Sequence, residues 1–292
     1  GDLVLRRAPF GADAKGGHNM SREFRILRGL HPHYQKIPTP VHYCENPDIL
    51  GADFYIMERM KGAIIRKEDP KYVSSFYAQL SNNTVTELAA IHNISEQALP
   101  NIGRPTGYVE RQISGWSKRH QKAKTIEVKA MDRLTSWLQH NIPSEGGNSI
   151  IHNDYKYDNL VLAPQSAEII GVLDWEMTTR GCPFMDLGVT LGYWLEKNDD
   201  TRLRHLPFCP THYDGNFTRK EFVDAYCHRR GVTICKPGFY VVYGVWRLVI
   251  ILEQIYKRFV DGHTQDQRFA ALGEALPLLV DHAFHIKEEL AE

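Results

Sequence analysis

Ile151-His152-Asn153-Asp154-Tyr155-Lys156-Tyr157-Asp158-Asn159, with Asp174-Trp175-Glu176 following it, is the stretch on which the reading of this chain turns. Between the two pieces lie two strand-like runs, Leu160-Val161-Leu162 and Ile169-Ile170-Gly171-Val172-Leu173, joined by the turn-rich Ala163-Pro164-Gln165-Ser166-Ala167-Glu168. That pattern predicts a β-hairpin. Folded about residue 166, such a hairpin sets Asn159 and Asp174 opposite each other at its open end, roughly 5 Å apart by the spacing of paired strands. An amide oxygen and a carboxylate then converge on one point.

Hard oxygen donors of this kind suit Mg²⁺, which takes its other ligands from water and from the phosphates of a substrate. Asn159 and Asp174 are therefore the candidate metal ligands, and a nucleoside triphosphate is the expected companion. Asp154 lies in a loop entered from the strand-like Ser149-Ile150-Ile151, placed to accept a hydrogen bond from an attacking hydroxyl and orient it. Lys156, two residues on, is a candidate for stabilising charge on a transferred phosphoryl group. His152 reads as a buried side chain that shapes the loop, because Asp154 already fills the role of base.

Working towards the N-terminus, Phe54 to Met60 and Val41 to Cys44 are strand-like and are separated by Glu45-Asn46-Pro47-Asp48 and Gly51, again a hairpin pattern. A helix capped by Asn19 or Ser21 carries Glu23, Ile26, Leu27 and Leu30 at i, i+3, i+4 and i+7, so the Glu23 carboxylate shares the inward apolar stripe and needs a partner. Leu3 to Arg7 reads as a further strand, ended by Pro9 and Gly11. After Met60-Lys61-Gly62 the character turns helical, with Phe76, Leu80, Leu88 and Ile91 on one face and Met131, Leu134 and Leu138 on another. From Pro183 onward helices are expected. The boundary is placed near residue 61, giving a sheet-bearing lobe over 1–61 and a helical lobe over 62–292.

In its His152-x-Asp154 sequence, in Asn159 five residues after that aspartate and in Asp174 beyond a hairpin, the chain resembles the kinase superfamily, in its aminoglycoside phosphotransferase and choline-kinase branch. Asp-Trp-Glu in place of Asp-Phe-Gly, and Gly181-Cys182-Pro183-Phe184-Met185-Asp186-Leu187 after it, match that small-molecule branch. The resemblance implies an α+β, protein-kinase-like two-lobed fold, with a small β-rich N-lobe lacking its first hairpin and a larger, mainly helical C-lobe. It places Arg6 where the family has a phosphate-contacting strand lysine and Glu23 where the pairing helix glutamate falls; the arginine is a departure whose fork still suits phosphate. Tyr55-Ile56-Met57-Glu58-Arg59-Met60 looks like the hinge that receives adenine, with Met57, Glu58 and Met60 as nucleotide contacts. Asp186 is expected to brace the catalytic loop.

Leu-Arg-Arg before Pro9, Arg22-Glu23-Phe24 and Tyr108-Val109-Glu110-Arg111-Gln112 with Trp116 look most like the kinase-like N-terminal domain of certain acyl-CoA dehydrogenases and related free-standing bacterial proteins. The likeness covers residues 3 to about 195. No glycine-rich phosphate loop precedes Leu3, and Gly16-Gly17 comes after it. The opening Gly1 and the mid-sheet character of Leu3-Val4-Leu5-Arg6 lead us to expect further sequence upstream.

Composition narrows the partners. Lys+Arg and Asp+Glu stand at 35 each, so no global field favours nucleic acid or an anionic membrane. Tyr240 to Tyr256 is apolar but carries Arg247 and Glu253, and it reads as a buried helix rather than a span. The five cysteines form no framework, which points to reduced thiols and a cytoplasmic setting. His205, Cys209, His212, Cys227, His228 and Cys235 lack the paired spacing of a zinc site and read as ordinary side chains. Arg111, Lys118, Arg119, His120, Lys122 and Lys124 around Trp116 read as a solvated helix face, or else as a seat for an anionic part of the acceptor.

The expectation is thus an ATP- and Mg²⁺-dependent phosphotransferase acting on a hydroxyl of a small molecule, with a hydroxyacyl compound or its CoA thioester as the favoured acceptor. The competing reading is a catalytically silent module that binds nucleotide or acyl-CoA, motivated by Arg6 and the absent glycine loop. Protein kinase activity is disfavoured, since no Ala-Pro-Glu segment or long activation loop follows Asp174.

Overall fold

The apolar and aromatic runs Leu3–Arg7 (β1), Pro40–Cys44 (β2) and Phe54–Glu58 (β3) pair as an antiparallel sheet in the order β1-β3-β2. The computed structural model describes residues 1–8, 19–66, 71–104, 106–143, 146–206 and 210–290. Gly16-Gly17 and Cys209 fall outside them. The register sets Arg6 opposite Tyr55 and Val4 opposite Met57. Helix α1 (Met20–Leu30) starts at Asn19, whose side chain accepts the Arg22 amide at 2.8 Å, and it buries Met20, Phe24, Ile26, Leu27 and Leu30. Phe24 meets Tyr43 and Tyr55 of the sheet.

The β2–β3 connection is the expected hairpin, closed by one turn of helix, α2 (Pro47–Leu50), which ends on Gly51 at φ 77°. β3 stops at Glu58, two residues short of the expected run. The Glu58 amide still donates to Thr39 and the Arg59 amide to Asp2, each just before a neighbouring strand, and the chain leaves the sheet after Arg59. Ala63 then pairs with Leu162 through two backbone bonds of 2.9 and 2.8 Å, and a Cβ at Gly62 would clash with the Leu162 carbonyl. The segment between the lobes is therefore stitched directly onto the hairpin that carries the candidate metal ligands.

The larger lobe is built on α3 (Ser74–His92), α4 (Tyr108–Ala123), α5 (Lys129–His140), α6 (Pro183–Gly192), α7 (Arg219–Arg230), α8 (Pro237–Val260) and α9 (Leu272–Glu289). Its short strands pair as β4 (Ser149–Ile151) with β7 (Thr179–Gly181) and β5 (Leu160–Leu162) with β6 (Ile169–Val172). By length and composition α8 could cross a bilayer, but most of its apolar stretch is buried inside the lobe against α6 and α9. Each fully buried valine, leucine or isoleucine there contributes about 1.5–3 kcal/mol. Glycine makes the α6–α8 crossing possible: a Cβ at Gly188 would strike the Tyr240 carbonyl, and one at Gly244 the Gly188 carbonyl. The two backbones touch, which fixes α8 relative to the loop that α6 supports.

Candidate active site

A cleft of about 210 Å³ between the lobes is lined by Arg6, Glu23, Tyr55, Met57, Arg66, Asn159, Leu173, Asp174 and Trp175, among others. Strand β1, helix α1, strand β3 and the β5–β6 hairpin thus converge on one space. Arg6 Nη1 lies 3.0 Å from Glu23 Oε1 and 3.5 Å from Asp174 Oδ1, and Nη2 lies 3.7 Å from Glu176 Oε2. Burial alone would lower the guanidinium, but Glu23, Asp174 and Glu176 outweigh it and hold the group above its ordinary value.

Glu23 is the partnered inward charge that its helix position required. Only 2% of its side chain is exposed, and burial pushes the carboxyl up to about 7 despite the opposing pull of Arg6. Its folded value is therefore above its ordinary 4.5, so this group's contribution to stability is full below pH 4.5 and declines as pH rises through 7. Glu23→Gln mimics the protonated form. Between pH 5 and pH 8 the natural chain should lose up to about 3 kcal/mol relative to Glu23→Gln in urea denaturation; equal pH slopes would rule out an elevated Glu23.

The hairpin departs from its expected register. Leu160 pairs with Val172, and the Leu173 amide donates to the Asn159 carbonyl at 2.8 Å, so Asn159 opposes Leu173 rather than Asp174. The cause is a turn tighter than expected, with the Ala163 amide on the Glu168 carbonyl and Leu162 opposite Ile169, which alone would set Asn159 opposite Val172; the bulge between Val161 and Leu162 leaves an extra residue on β6 and recovers one position. Asp174 follows at φ 66°, a left-handed conformation, and still reaches the same cleft as Asn159.

Around Asp154 every neighbour is fixed. Lys156 Nζ lies 2.9 Å from both of its carboxylate oxygens, and Asn159 Nδ2 donates to its carbonyl at 2.8 Å and to Oδ2 at 3.0 Å. Lys156 also sits over the Tyr193 ring, so its charge is directed at Asp154. With its amide committed in this way, Asn159 has its side-chain carbonyl left to offer a cation. Asp174 Oδ1 is buried and accepts no hydrogen bond. A hard divalent ion fits that pair of oxygens.

His152 is shaped for support. Its Nδ1 accepts the Asp154 amide at 3.2 Å, so Nε2 carries the proton donated to the Leu173 carbonyl at 2.9 Å; burial lowers its pKa and keeps the ring neutral. Asp186 accepts the His152 and Asn153 amides, each at 2.7 Å, and His92 Nε2 at 3.0 Å. Burial would raise this carboxyl, but His92, His152 and these bonds hold it below its ordinary value. Asp186 is thus the brace its position in the sequence suggested.

Sequence reasoning missed Asn153, Arg22 and Arg247. Asn153, at φ 66°, is held through its amide by Asp186, through its side chain by Tyr108 and the Met177 carbonyl, and through its own carbonyl by Arg247. Arg22 on α1 donates to the Glu176 and Thr178 carbonyls and ties α1 to the Asp174 segment. The one available signal was asparagine's tolerance of positive φ next to the motif histidine. Of the expected hinge residues, Met57 lines the cleft, the Glu58 side chain is exposed, and Met60 packs against Gly171.

The family model described as "Phosphotransferase enzyme family" (APH) matches residues 1–215. Acyl-CoA dehydrogenase family member 10 of Mus musculus is 31% identical over 275 residues, 89% of this chain and 25% of that protein. Acyl-CoA dehydrogenase family member 11 of Mus musculus is 32% identical over 273 residues, 90% of this chain and 34% of that protein. The chain spans only a quarter to a third of these relatives. A crystal structure of a candidate aminoglycoside phosphotransferase from Ralstonia eutropha JMP134 superposes with a TM-score of 0.83 at 27% identity, covering 98% of this chain and 86% of the other. The GDP complex of aminoglycoside 2'-phosphotransferase-IIIa has a TM-score of 0.64 at 16% identity, covering 97% and 87%, a likeness of fold.

Proposed function

The chain belongs to the phosphotransferase enzyme family and has its protein-kinase-like, two-lobed α+β fold, and from that premise we propose that it transfers the γ-phosphoryl group of ATP to a hydroxyl of a small molecule. The observation that carries this reading is the convergence of Arg6, Glu23, Asn159 and Asp174 on one cleft, with Asp154 bonded to Asn159. A silent module has no chemical need of that arrangement. Arg6, the departure that motivated the silent reading, already pairs with Glu23 as the family's strand lysine would.

In this reading Asp154 accepts the hydrogen bond of the acceptor hydroxyl and orients its oxygen in line. Lys156 and Asn159 fix both carboxylate oxygens, so the base needs no reorganisation as the hydroxyl arrives. Arg6, positioned by Glu23, binds phosphate oxygens. The adenine edge is received at the hinge, where the Glu58 and Arg59 amides are already spent and the Met60 amide makes no hydrogen bond among the described residues. Asn159 and Asp174 would hold Mg²⁺, which when bound neutralises charge on the β- and γ-phosphate oxygens.

Likeness to proteins named as acyl-CoA dehydrogenase family members supports a hydroxyacyl compound or its CoA thioester as acceptor. Mg²⁺-dependent ADP release should be stimulated at least about tenfold by one class in a panel of hydroxyacyl-CoAs, hydroxy acids, amino alcohols, sugars and aminoglycosides. Tight nucleotide binding with no stimulated release by any of them would instead favour the silent module.

A further inference from the structure

Arg247 is a buried cation with no carboxylate against it among the described residues. It is 5% exposed, its Nη2 donates to the Asn153 carbonyl at 3.0 Å, and Asn153 immediately precedes Asp154. Its guanidinium carbon lies 5.0 Å from the Trp116 ring centroid, and that of Arg119 lies 4.3 Å from the same centroid, so the two cations are at most about 9 Å apart. A buried arginine is ordinarily paired. Arg219 in this chain shows the usual solution, with Asp199, Glu196 and Glu289 around it.

No carboxylate among the described residues lies within 4.0 Å of Arg247 or Arg119; beyond the contacts given, both act electrostatically on Tyr243 and Arg247 also on Tyr108, neither of them an acid. Glu253, on the same helix as Arg247, is engaged by His120 at 2.6 Å. The basic stretch seen in the sequence also sorts itself out. Arg111 donates to the Arg104 and Thr106 carbonyls at the start of α4, His120 is buried on Glu253, and Lys124 reaches Asp132 at 3.7 Å. Beside the catalytic loop this leaves the Trp116 ring with the guanidinium groups of Arg247 and Arg119 against it and, among the described residues, no carboxylate on either.

We propose that Arg247 and Arg119, with Trp116, form the seat for an anionic group of the acceptor, a carboxylate or a phosphate ester. This rests on the kinase reading of the same site. The anion supplies the counter-charge that Arg247 lacks, in surroundings dry enough to strengthen the pair, and a guanidinium fork binds either anion through two parallel bonds. The same cations repel the ammonium groups of aminoglycosides or choline. The seat therefore selects acidic hydroxy compounds and rejects basic ones.

The test is calorimetric and needs no turnover: the full chain with Mg²⁺-ADP is titrated with 3-hydroxybutyrate, glycerol 3-phosphate, 3-hydroxybutyryl-CoA, choline and kanamycin. At least one anionic probe should bind, more weakly in high salt. Arg119→Glu should weaken it by at least about tenfold, and Arg247→Met by more. The probes separate the sources of the anion, whether carboxylate, simple phosphate ester or coenzyme A phosphate. Exposed Arg119 decides the matter if Arg247→Met does not fold. No anionic binding at about 10 mM, where even a millimolar site would fill, overturns the seat, as does tighter binding of a cationic probe or indifference to Arg119→Glu. Arg119-dependent binding without ADP release would instead sink the kinase reading and leave the seat standing.

Discussion

Asp174→Ala will lower Mg²⁺-dependent ADP release by about 10³-fold or more, with most of the loss in kcat. The substitution removes a carboxylate whose Oδ1 is buried without a hydrogen bond, one of the two oxygens that would hold Mg²⁺ in the proposed reaction. It also frees Arg6 from one of its three acids. Because Asp174 stands at φ 66°, alanine adds roughly 1 kcal/mol of backbone strain, which could be mistaken for lost chemistry. Asp174→Asn separates the two, since asparagine tolerates that conformation and removes only the charge. Both variants should be nearly inactive, while Asp174→Asn keeps its melting temperature within a few degrees. Turnover within tenfold of the natural chain in either variant would remove Asp174 from the metal site.

Asp186→Asn should destabilise the fold by about 3–5 kcal/mol, measured as a lower urea midpoint at unchanged slope. The carboxylate accepts two amides of the catalytic loop and the proton of His92. Asparagine keeps one oxygen and turns an NH₂ toward a donor, leaving buried N–H groups facing each other without an acceptor. The isosteric change isolates this mismatch from any cavity effect. A loss below about 1 kcal/mol would mean that the loop is held by other contacts, such as Arg247 on the Asn153 carbonyl.

The sequence was most legible where local pattern and chemistry coincide. Glu23 announced itself as a charge on an apolar stripe, and the structure buries it against Arg6. The hairpins were readable from strand-like apolar runs and turn residues, and so the meeting of Asn159 and Asp174 was foreseeable to within one residue of register. That one residue was lost because the turn closes at Ala163 and Glu168, tighter than its run of turn residues suggests, and the bulge on β6 makes up only part of the difference. What was illegible is long-range. Asp186 rests on His92, 94 positions away, and Arg247 reaches Asn153 from a helix that reads only as core. No spacing rule connects such pairs; only packing does.

The short pairing of Ala63 with Leu162 has a mechanical corollary. Bolted to β5 by two backbone bonds, the connecting strap moves as one body with the hairpin that bears Asn159 and Asp174. Arg6 and Glu23 belong to the other body. Any rotation of one against the other must part Arg22 from the Glu176 and Thr178 carbonyls and Val172 from Lys36 as well as bend residues 59–62, and the Arg6–Asp174 separation of 3.5 Å serves as its gauge.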